Sequence, residues 1–296
     1  MNFIVGYSPH TDETCGIELG CLLARSAGRS VEALTVVPRG WPTAGAGDTD
    51  RDFKLWAAQE GARCASEAER ILAQHPDVPS SARWASGRSV PQTLLEHAER
   101  VEASLVVLGS GRSGPYGAIT LTSKTERVLH SSPVPVAVAP RGFRAPSPAR
   151  VARASIAFRG DDPTWTLLER AAALCTAIGV SLRVVTFAVR GRAMYPTHGV
   201  TGAEEMVLKQ WIAQAEKAQA EAVEYLYSQG LDSSQVSAEV AVGTSWGAAF
   251  DQLDWGPEDV LVVGSSASSG VISRVFLGSS ASKIVRKSPV PVLVVP

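Results

Sequence analysis

The segment PVPVAVAP at Pro133–Pro140 returns almost unchanged as PVPVLVVP at Pro289–Pro296. The similarity extends upstream, where ASLVVLGSGRSGPYGAITLTSKTERVLHSS precedes the first copy and EDVLVVGSSASSGVISRVFLGSSASKIVRKS precedes the second. Both stretches contain an apolar run, a Gly-Ser pair, a loop of small residues and a helical stretch. Two copies about half a chain apart indicate a duplicated unit, since a solenoid needs three or more repeats.

The length and the segment between the copies predict two domains and a linker. The chain has 296 residues, and domains are typically about 100–150 residues long. RGFRAPSPARVARAS separates the two halves, and its Pro, Arg, Ala and Ser show no apolar period. Such a composition is typical of a linker. We therefore expect a first domain at residues 1–140, a linker at 141–152 and a second domain at 153–296.

Apolar runs and helical patterns alternate through both halves. In the first half, strand-like runs at 3–7, 31–37, 81–86, 105–109 and 134–139 alternate with helical patterns at 12–27, 48–74, 90–103 and 123–131. In the second half, the strand-like runs are 154–159, 181–189, 236–242, 260–264 and 290–295, and the helical patterns are 163–178, 202–229, 245–253 and 278–287. This alternation predicts an α/β fold with two tandem doubly wound domains, each a five-stranded parallel sheet covered by helices on both faces. Ligands of such folds bind at the carboxyl ends of the strands, near the switch point of the strand order.

The composition argues against several classes of protein. A net charge of −1 and 19% charged residues give no reason to expect nucleic acid or an anionic membrane as a partner. The start MNFIVGYSPH lacks the basic segment of a signal peptide, and no apolar run approaches the roughly 20 residues of a spanning helix. The four cysteines Cys15, Cys21, Cys64 and Cys175 have no CxxC spacing. We expect them to be buried reduced thiols in a cytoplasmic protein.

Two loops of small residues follow the fourth strand of each half. They are Gly109-Ser110-Gly111-Arg112 and Gly264-Ser265-Ser266-Ala267, and helices begin downstream at Thr122-Ser123 and at Gly278-Ser279-Ser280. Glycine permits close approach of a ligand, and a helix N-terminus favours phosphate. The same residues also serve as turn glycines and helix N-caps in any fold, so the local chemistry leaves both interpretations open. Neither a Walker loop nor GxGxxG after the first strand is present.

The chain closely resembles the tandem universal stress proteins. The resemblance rests on VVLGS and VVGSS, on RVFLGSSASKIVRKSPVPVLVVP and on its counterpart AITLTSKTERVLHSSPVPVAVAP, and it covers both halves. It implies five-stranded α/β domains in a dimeric or pseudo-dimeric arrangement, often binding ATP or AMP. Terminal strands pair antiparallel in this family, so we expect Val136–Ala139 to pair with Val292–Val295 in one continuous sheet. Two separate domains on a flexible linker are the alternative.

The nucleotide motif of the ATP-binding branch, G-x2-G-x9-G-[ST], is only partly present in the first half. Gly109 and Ser123 match it, whereas Arg112 and Thr122 replace the second and third glycines. ATP-binding members also carry an Asp at the end of the first strand, where Tyr7 stands here. Arg112 offers a guanidinium suited to phosphate, although a solvated loop arginine is the simpler interpretation.

The second half keeps more of the motif. Gly264, Gly278 and Ser279 match, Ala267 replaces the second glycine, and ten residues rather than nine follow it. Arg159 stands where we expect the Asp of the first strand. The candidate nucleotide-binding residues of this half are Gly264, Ser265, Ala267, Gly278, Ser279 and Ser280.

Catalytic and metal-binding residues are not assigned. The five histidines, His10, His75, His97, His130 and His198, are scattered without metal-ligand spacing, and GxSxG is absent. Trp56 and Trp211, in the long second helix of each half, are expected in the core or at an interface.

The resemblance therefore implies a cytoplasmic, non-catalytic stress-response or signalling protein that binds ATP or AMP, better in its second half. The sequence does not decide whether Mg²⁺ accompanies the nucleotide. A regulatory protein of unidentified kind is a further expected partner, and a homodimer of tandem chains is compatible with the pattern. The alternative function is a nucleotide-independent adaptor that binds a regulatory protein.

Overall fold

The structure is a computed structural model that describes residues 2–8, 14–39, 48–146, 148–189, 201–265 and 279–296. The first half contains β1 (Asn2–Gly6), α1 (Cys15–Ala27), β2 (Ser30–Pro38), α2 (Asp48–Leu72), β3 (Ser80–Gly87), α3 (Val90–Arg100), β4 (Leu105–Gly109), α4 (Ser123–Ser131) and β5 (Val136–Ala139). The second half contains β6 (Arg153–Ala157), α5 (Asp162–Ile178), β7 (Ser181–Val189), α6 (Thr201–Ser228), β8 (Val236–Gly243), α7 (Trp246–Phe250), β9 (Asp259–Gly264), α8 (Ser279–Lys287) and β10 (Val292–Val295). The predicted alternation of strands and helices is confirmed in both halves.

Local signals in the sequence explain where several helices begin and end. The Asp161 carboxylate caps α5 by accepting a hydrogen bond from the Thr164 backbone N–H at 3.3 Å. Ser89 caps α3 in the same way, with a proline in the first turn. Helices α1 and α5 end at Gly28 and Gly179, whose φ values of 60° and 70° are ones that only glycine adopts readily.

The ten strands form one continuous sheet in the order β3-β2-β1-β4-β5-β10-β9-β6-β7-β8. All neighbours within a half are parallel, as predicted. The two halves join where β5 and β10 pair antiparallel, with Val138 opposite Val292, Ala137 opposite Leu293 and Val136 opposite Val294. We call this pairing the seam. It confirms the expected antiparallel pairing of the terminal strands and the pseudo-dimeric arrangement.

Helices cover both faces of the sheet. Helices α1, α2, α5 and α6 pack on one face, around a core that includes Leu22, Leu72, Leu168 and Leu226. Helices α3, α4, α7 and α8 pack on the other face. Side chains alternate between the faces along each strand, so that Val5 and Ile4 belong to different cores.

The segment between the halves lies against the first half. The Val151 backbone N–H donates to Ser26 Oγ at 2.8 Å, and Arg25 donates to the Ala149 carbonyl at 2.9 Å. Arg144 forms an ion pair with the buried Glu18 at 3.0 Å. The alternative of two domains on a flexible linker is therefore wrong, because Arg144, Ala149 and Val151 contact α1 and both halves share one sheet.

Burial settles two expectations about single residues. All four cysteines are buried, as expected, and the described structure contains no disulfide between them. Trp56 and Trp211 are about half exposed, at 50% and 41%, so the part of the expectation that placed them in the core is wrong. In the described part of the chain, no helix is long and apolar enough to cross a membrane.

Candidate functional site

The strand order places the candidate loops at the switch point of each half. β1 lies between β2 and β4, and β6 lies between β7 and β9. Gly109 ends β4 and Gly264 ends β9, so both loops leave the carboxyl edge of their sheet. Because β5 and β10 are antiparallel, these two edges lie on opposite sides of the ten-stranded sheet.

Gly109 lies close to α1 in the first half, where a side chain would crowd Cys15. A Cβ at this position would lie 2.9 Å from Cys15 Sγ and 3.5 Å from the Gly16 backbone nitrogen. Gly16 in turn brings α1 close to β4, since its own Cβ would lie 3.1 Å from the Gly109 nitrogen. The close approach of helix and strand explains both glycines without a ligand.

Gly264, at the equivalent position of the second half, is under no such constraint from the described residues. A Cβ there would meet only the Leu167 Cδ2 atom among them, at the ordinary contact distance of 3.6 Å. Packing against the described residues therefore does not require a glycine at the end of β9. A glycine that packing does not require is free to serve close approach of another molecule.

The loop after β4 is closed by its own atoms. Ser110 Oγ accepts a hydrogen bond from the Thr120 backbone N–H at 2.6 Å, and the Gly111 N–H donates to the Thr120 carbonyl at 2.9 Å. The Thr120 hydroxyl lies 1.9 Å from where a Cβ of Gly114 would stand. Thr120 therefore fills the inside of this loop.

The same loop is tied to the chain that follows β5. The Gly117 N–H donates to the Arg141 carbonyl at 2.9 Å, and the Arg141 N–H donates to the Ala118 carbonyl at 3.0 Å. The Arg141 guanidinium stacks over the Tyr116 ring, 4.3 Å from its centroid. Opening this loop for a ligand would break all of these contacts.

The predicted residues at the start of α4 serve the helix. Thr122 is the N-cap, because its Oγ1 accepts a hydrogen bond from the Thr125 N–H at 3.2 Å. Its methyl group lies 2.7 Å from where a Cβ of Gly111 would be. Ser123 and Arg112 are exposed. The N-cap interpretation thus accounts for Thr122.

Strand register corrects the assignment at the ends of β1 and β6. The Tyr7 N–H donates to the Leu34 carbonyl at 3.0 Å, as the Phe158 N–H does to the Val185 carbonyl at 2.8 Å. Tyr7 is therefore equivalent to Phe158, and Arg159 is equivalent to Ser8. The prediction that Tyr7 and Arg159 occupy equivalent positions in the two halves is therefore wrong by one residue.

Aromatic side chains close the ends of both first strands. Tyr7 is buried, and its hydroxyl is hydrogen-bonded to the Glu67 carboxylate of α2; burial and the nearby carboxylate raise its pKa. Phe158 is buried against Trp165 with ring centroids 5.2 Å apart. The Tyr7 ring therefore fills space at the switch point of the first half, next to α2. The Phe158 ring fills the equivalent space of the second half, next to α5.

The second half presents a cation and a buried hydroxyl at the edge where β9 ends. Arg159 lies beyond β6, which neighbours β9, and forms an ion pair with Asp161 at 2.5 Å. Ser265 is 8% exposed, and its Oγ has no hydrogen-bond partner among the described residues. Ser279 and Ser280 open α8, whereas Ala267 and Gly278 lie outside the described residues.

The histidines do not form a metal site in the described part of the chain, where no cluster of three or more His, Cys, Asp or Glu residues is found. His97 is buried against Glu32 through its Nε2 atom, and His75 lies 3.4 Å from Glu18. His10 and His198 lie outside the described residues.

A buried arginine is a feature that the sequence did not reveal. Arg183 in β7 is fully buried, donates from Nε to Ser155 Oγ at 3.0 Å and from Nη1 to the Asp254 carbonyl at 2.8 Å, and stacks on Trp255. Burial lowers the pKa of this guanidinium. Register places Arg183 where the first half has Glu32. From the sequence alone, a single arginine in an apolar strand does not indicate that its side chain is buried.

Comparison with known proteins supports the resemblance in the sequence. The profile of the universal stress protein family matches residues 2–140 and 153–296. The chain belongs to the universal stress protein family. It is 39% identical, over all of both chains, to universal stress proteins of Mycobacterium tuberculosis and Mycobacterium bovis.

Two solved structures share the fold of this family member. A universal stress protein from Archaeoglobus fulgidus has a TM-score of 0.59 at 17% identity, covering 99% of this chain and 97% of its own. A universal stress protein from Pseudomonas aeruginosa has a TM-score of 0.56 at 17% identity, covering 99% of this chain and 92% of its own. At this level of identity the likeness concerns the fold alone.

Proposed function

We propose that this universal stress protein is a non-catalytic stress-response or signalling protein that binds ATP or AMP at the loop after β9. The observation that carries the proposal is the difference between the two equivalent glycines. Gly109 is explained by the contact of α1 with β4, whereas packing among the described residues does not require a glycine at Gly264. The second half is therefore the better binding site.

Charge and hydrogen-bonding capacity support the same half. Arg159 places a guanidinium at the carboxyl edge of the sheet where β9 ends, and guanidinium suits phosphate. Ser279 and Ser280 are at the N-terminus of α8, where backbone N–H groups attract anions. Ser265 adds a hydroxyl. Ala267 and Gly278 complete the motif that the sequence suggests.

The first half serves as a structural partner in this proposal. Thr120 fills the loop after β4, and Thr122 uses its hydroxyl to cap α4. Through the seam, this half supplies the strand that covers β10. The protein would then carry one nucleotide per chain in the cytoplasm, and a regulatory protein would respond to the occupied form.

The proposal includes no turnover of the nucleotide. Phosphoryl transfer needs a positioned nucleophile, a metal and cationic groups around the transferred phosphate. The candidate residues of the second half supply a glycine, hydroxyls and one arginine, which suffice for binding. Steady ATP hydrolysis by the purified protein that is lost in Gly264→Val would refute this part.

Titration calorimetry with ATP and with AMP, each with and without Mg²⁺, tests the binding site. We expect Gly264→Val to weaken binding at least about 10-fold, because a branched side chain fills the space for close approach. Ser123→Ala, in the first half, should leave the affinity unchanged. Urea unfolding of both variants separates lost affinity from lost stability.

Two results would overturn the proposal. If Ser123→Ala abolished binding and Gly264→Val did not, the site would belong to the first half. If neither nucleotide bound and mass spectrometry found none retained on the purified protein, the nucleotide-independent adaptor would be the function.

A further inference from the structure

A groove lies beside β8, the strand at one end of the ten-stranded sheet. Its volume is about 420 Å³. It lies between α6 and β8 and is lined by Glu216, Gln219, Ala220, Val223, Glu224 and Ala238. Among the described residues, no strand pairs with the outer side of β8, so the outward backbone groups beyond Val236, whose N–H donates to the Asp232 carbonyl, have no strand partner.

The residues of α6 that line the groove recur at intervals of three and four. This spacing places them on one face of the helix, next to the edge strand. Ala220 and Ala238 are small, which leaves the groove open. Gln219 fixes its floor, because its side-chain amide donates to the Glu239 carbonyl at 2.7 Å and to Thr186 Oγ1 at 3.0 Å.

The equivalent place in the first half is filled. Register equates Ala82 of β3 with Ala238 of β8, and Trp84 follows two residues later on the same side of the strand. The Trp84 ring lies 2.5 Å from where a Cβ of Gly61 in α2 would stand. The indole thus occupies the space between helix and edge strand that remains open in the second half.

The groove is lined mostly by apolar atoms beside Gln219, with a carboxylate near each end. Glu216 and Glu224 are exposed, and neither has an ion-pair partner among the described side chains. They are two helical turns apart, which is about 12 Å along α6. Residues i and i+4 of an extended chain are separated by about 13 Å and point to the same side.

We propose that β8 and this groove bind an extended basic segment of a partner protein as an added strand. The backbone of the segment pairs with the open edge of β8, which supplies affinity, and its alternate side chains enter the groove, which supplies specificity. Lys or Arg at positions i and i+4 pairs with Glu216 and Glu224. Their aliphatic stems and a small apolar residue at i+2 cover Ala220 and Val223. The inference does not depend on nucleotide binding.

A fluorescein-labelled octapeptide, TKTVTKTT, tests the proposal by fluorescence anisotropy with the full chain. TETVTETT controls for charge, and TKTVKTTT controls for the spacing of the two lysines. We expect the first peptide to bind at least about 10-fold more tightly than either control, with a salt-dependent affinity.

Variants of α6 locate the binding. Ala220→Trp places an indole in the groove from the side of the helix, whereas Trp84 does so from the strand in the first half, and should weaken binding at least about 10-fold, since it excludes the side chains of the peptide. Glu221→Lys changes an exposed glutamate outside the groove and should leave the affinity within about two-fold, since screened exposed charges contribute little. Amide hydrogen exchange should slow at Val236–Gly243 when the peptide is bound, because strand addition protects the edge of β8.

Several results would overturn the proposal. The first is that TKTVTKTT does not bind at concentrations up to about 1 mM. The second is that TETVTETT binds as tightly as TKTVTKTT, and the third is that TKTVTKTT binds the Ala220→Trp variant with unchanged affinity. Binding without slower exchange in β8 would exclude strand addition. Concentration-dependent self-association that is abolished by Ala220→Trp would make a second copy of this chain the occupant instead.

Discussion

Truncation of two valines that face each other across the seam tests whether the halves fold as one unit. Val136 and Val294 are register partners, both are 0% exposed, and both belong to the core on the face of α4 and α8. Replacing either by alanine removes two methyl groups, about 1.6 kcal/mol of transfer free energy at 0.8 kcal/mol each. A residual cavity of roughly 50 Å³ adds about 1 kcal/mol. Each single variant should lower the free energy of unfolding by roughly 2.5 kcal/mol.

Urea unfolding followed by far-UV circular dichroism and by tryptophan fluorescence measures these changes. The two side chains share one contact, so the double variant should lose less than the sum of the single variants, by at least about 0.5 kcal/mol. Val207→Ala is the matched control, because Val207 is 67% exposed on α6. Its effect should stay within about 0.5 kcal/mol.

Two outcomes would refute the reasoning about the seam. One is a cost for Val136→Ala no larger than that of Val207→Ala. The other is two separate unfolding transitions, of which the variants at the seam shift only one. The second outcome would show that the halves unfold independently in spite of the shared sheet.

Three further predictions concern buried and charged groups. Burial raises the pKa of Cys21 to about 12 and that of Cys175 to about 11, so a thiol reagent at pH 8 should label neither before unfolding; labelling at the rate of a free thiol would contradict this. Hydrogen bonding to Arg25 lowers the pKa of Asp77, so its stabilisation is present above about pH 4 and is lost as the pH falls through the folded-state pKa; Asp77→Asn should flatten the acid side of the stability profile, and an unchanged slope would exclude this carboxylate. Arg183→Ala should destabilise the protein by about 3 kcal/mol, because it leaves a cavity and unpaired acceptors, and Arg183→Met by less; equal urea midpoints for wild type and Arg183→Ala would show that the buried arginine contributes nothing.

The sequence was sufficient for the fold because the information for it is local and repeated. Alternating runs and helical patterns located the eighteen elements of the described residues, and the duplicated end of each half led, through the family resemblance, to the pairing of Val136–Ala139 with Val292–Val295. Helix caps such as Asp161 follow from residue type and position. The signals for helices, strands and caps lie within a few residues of the structure that they specify, whereas the pairing at the seam was predicted from the family resemblance.

The candidate site was less accessible because it depends on distances between remote residues. A side chain at Gly109 would crowd Cys15, whereas the described residues leave ordinary contact distance at Gly264, and both facts depend on side chains remote in the sequence. The sequence pattern predicted that Tyr7 and Arg159 are equivalent, which is one residue away from the true equivalence of Tyr7 and Phe158. The first strands of the two halves differ in sequence, so the pattern did not fix their alignment. The open groove beside Ala238 follows from a comparison of side-chain volumes between halves, which no single stretch of sequence shows.

The joining of the halves in one chain at the seam also sets how many partners the molecule can hold. In a dimer of identical chains, every substitution appears on both sides of the two-fold axis. Here each half carries its own residues, so Glu32 stands where the other half has Arg183, and Trp84 closes the flank that Ala238 leaves open. The described residues of one chain therefore form this groove once, and the proposed partner segment would bind with a stoichiometry of one per chain, where a symmetric dimer would take two.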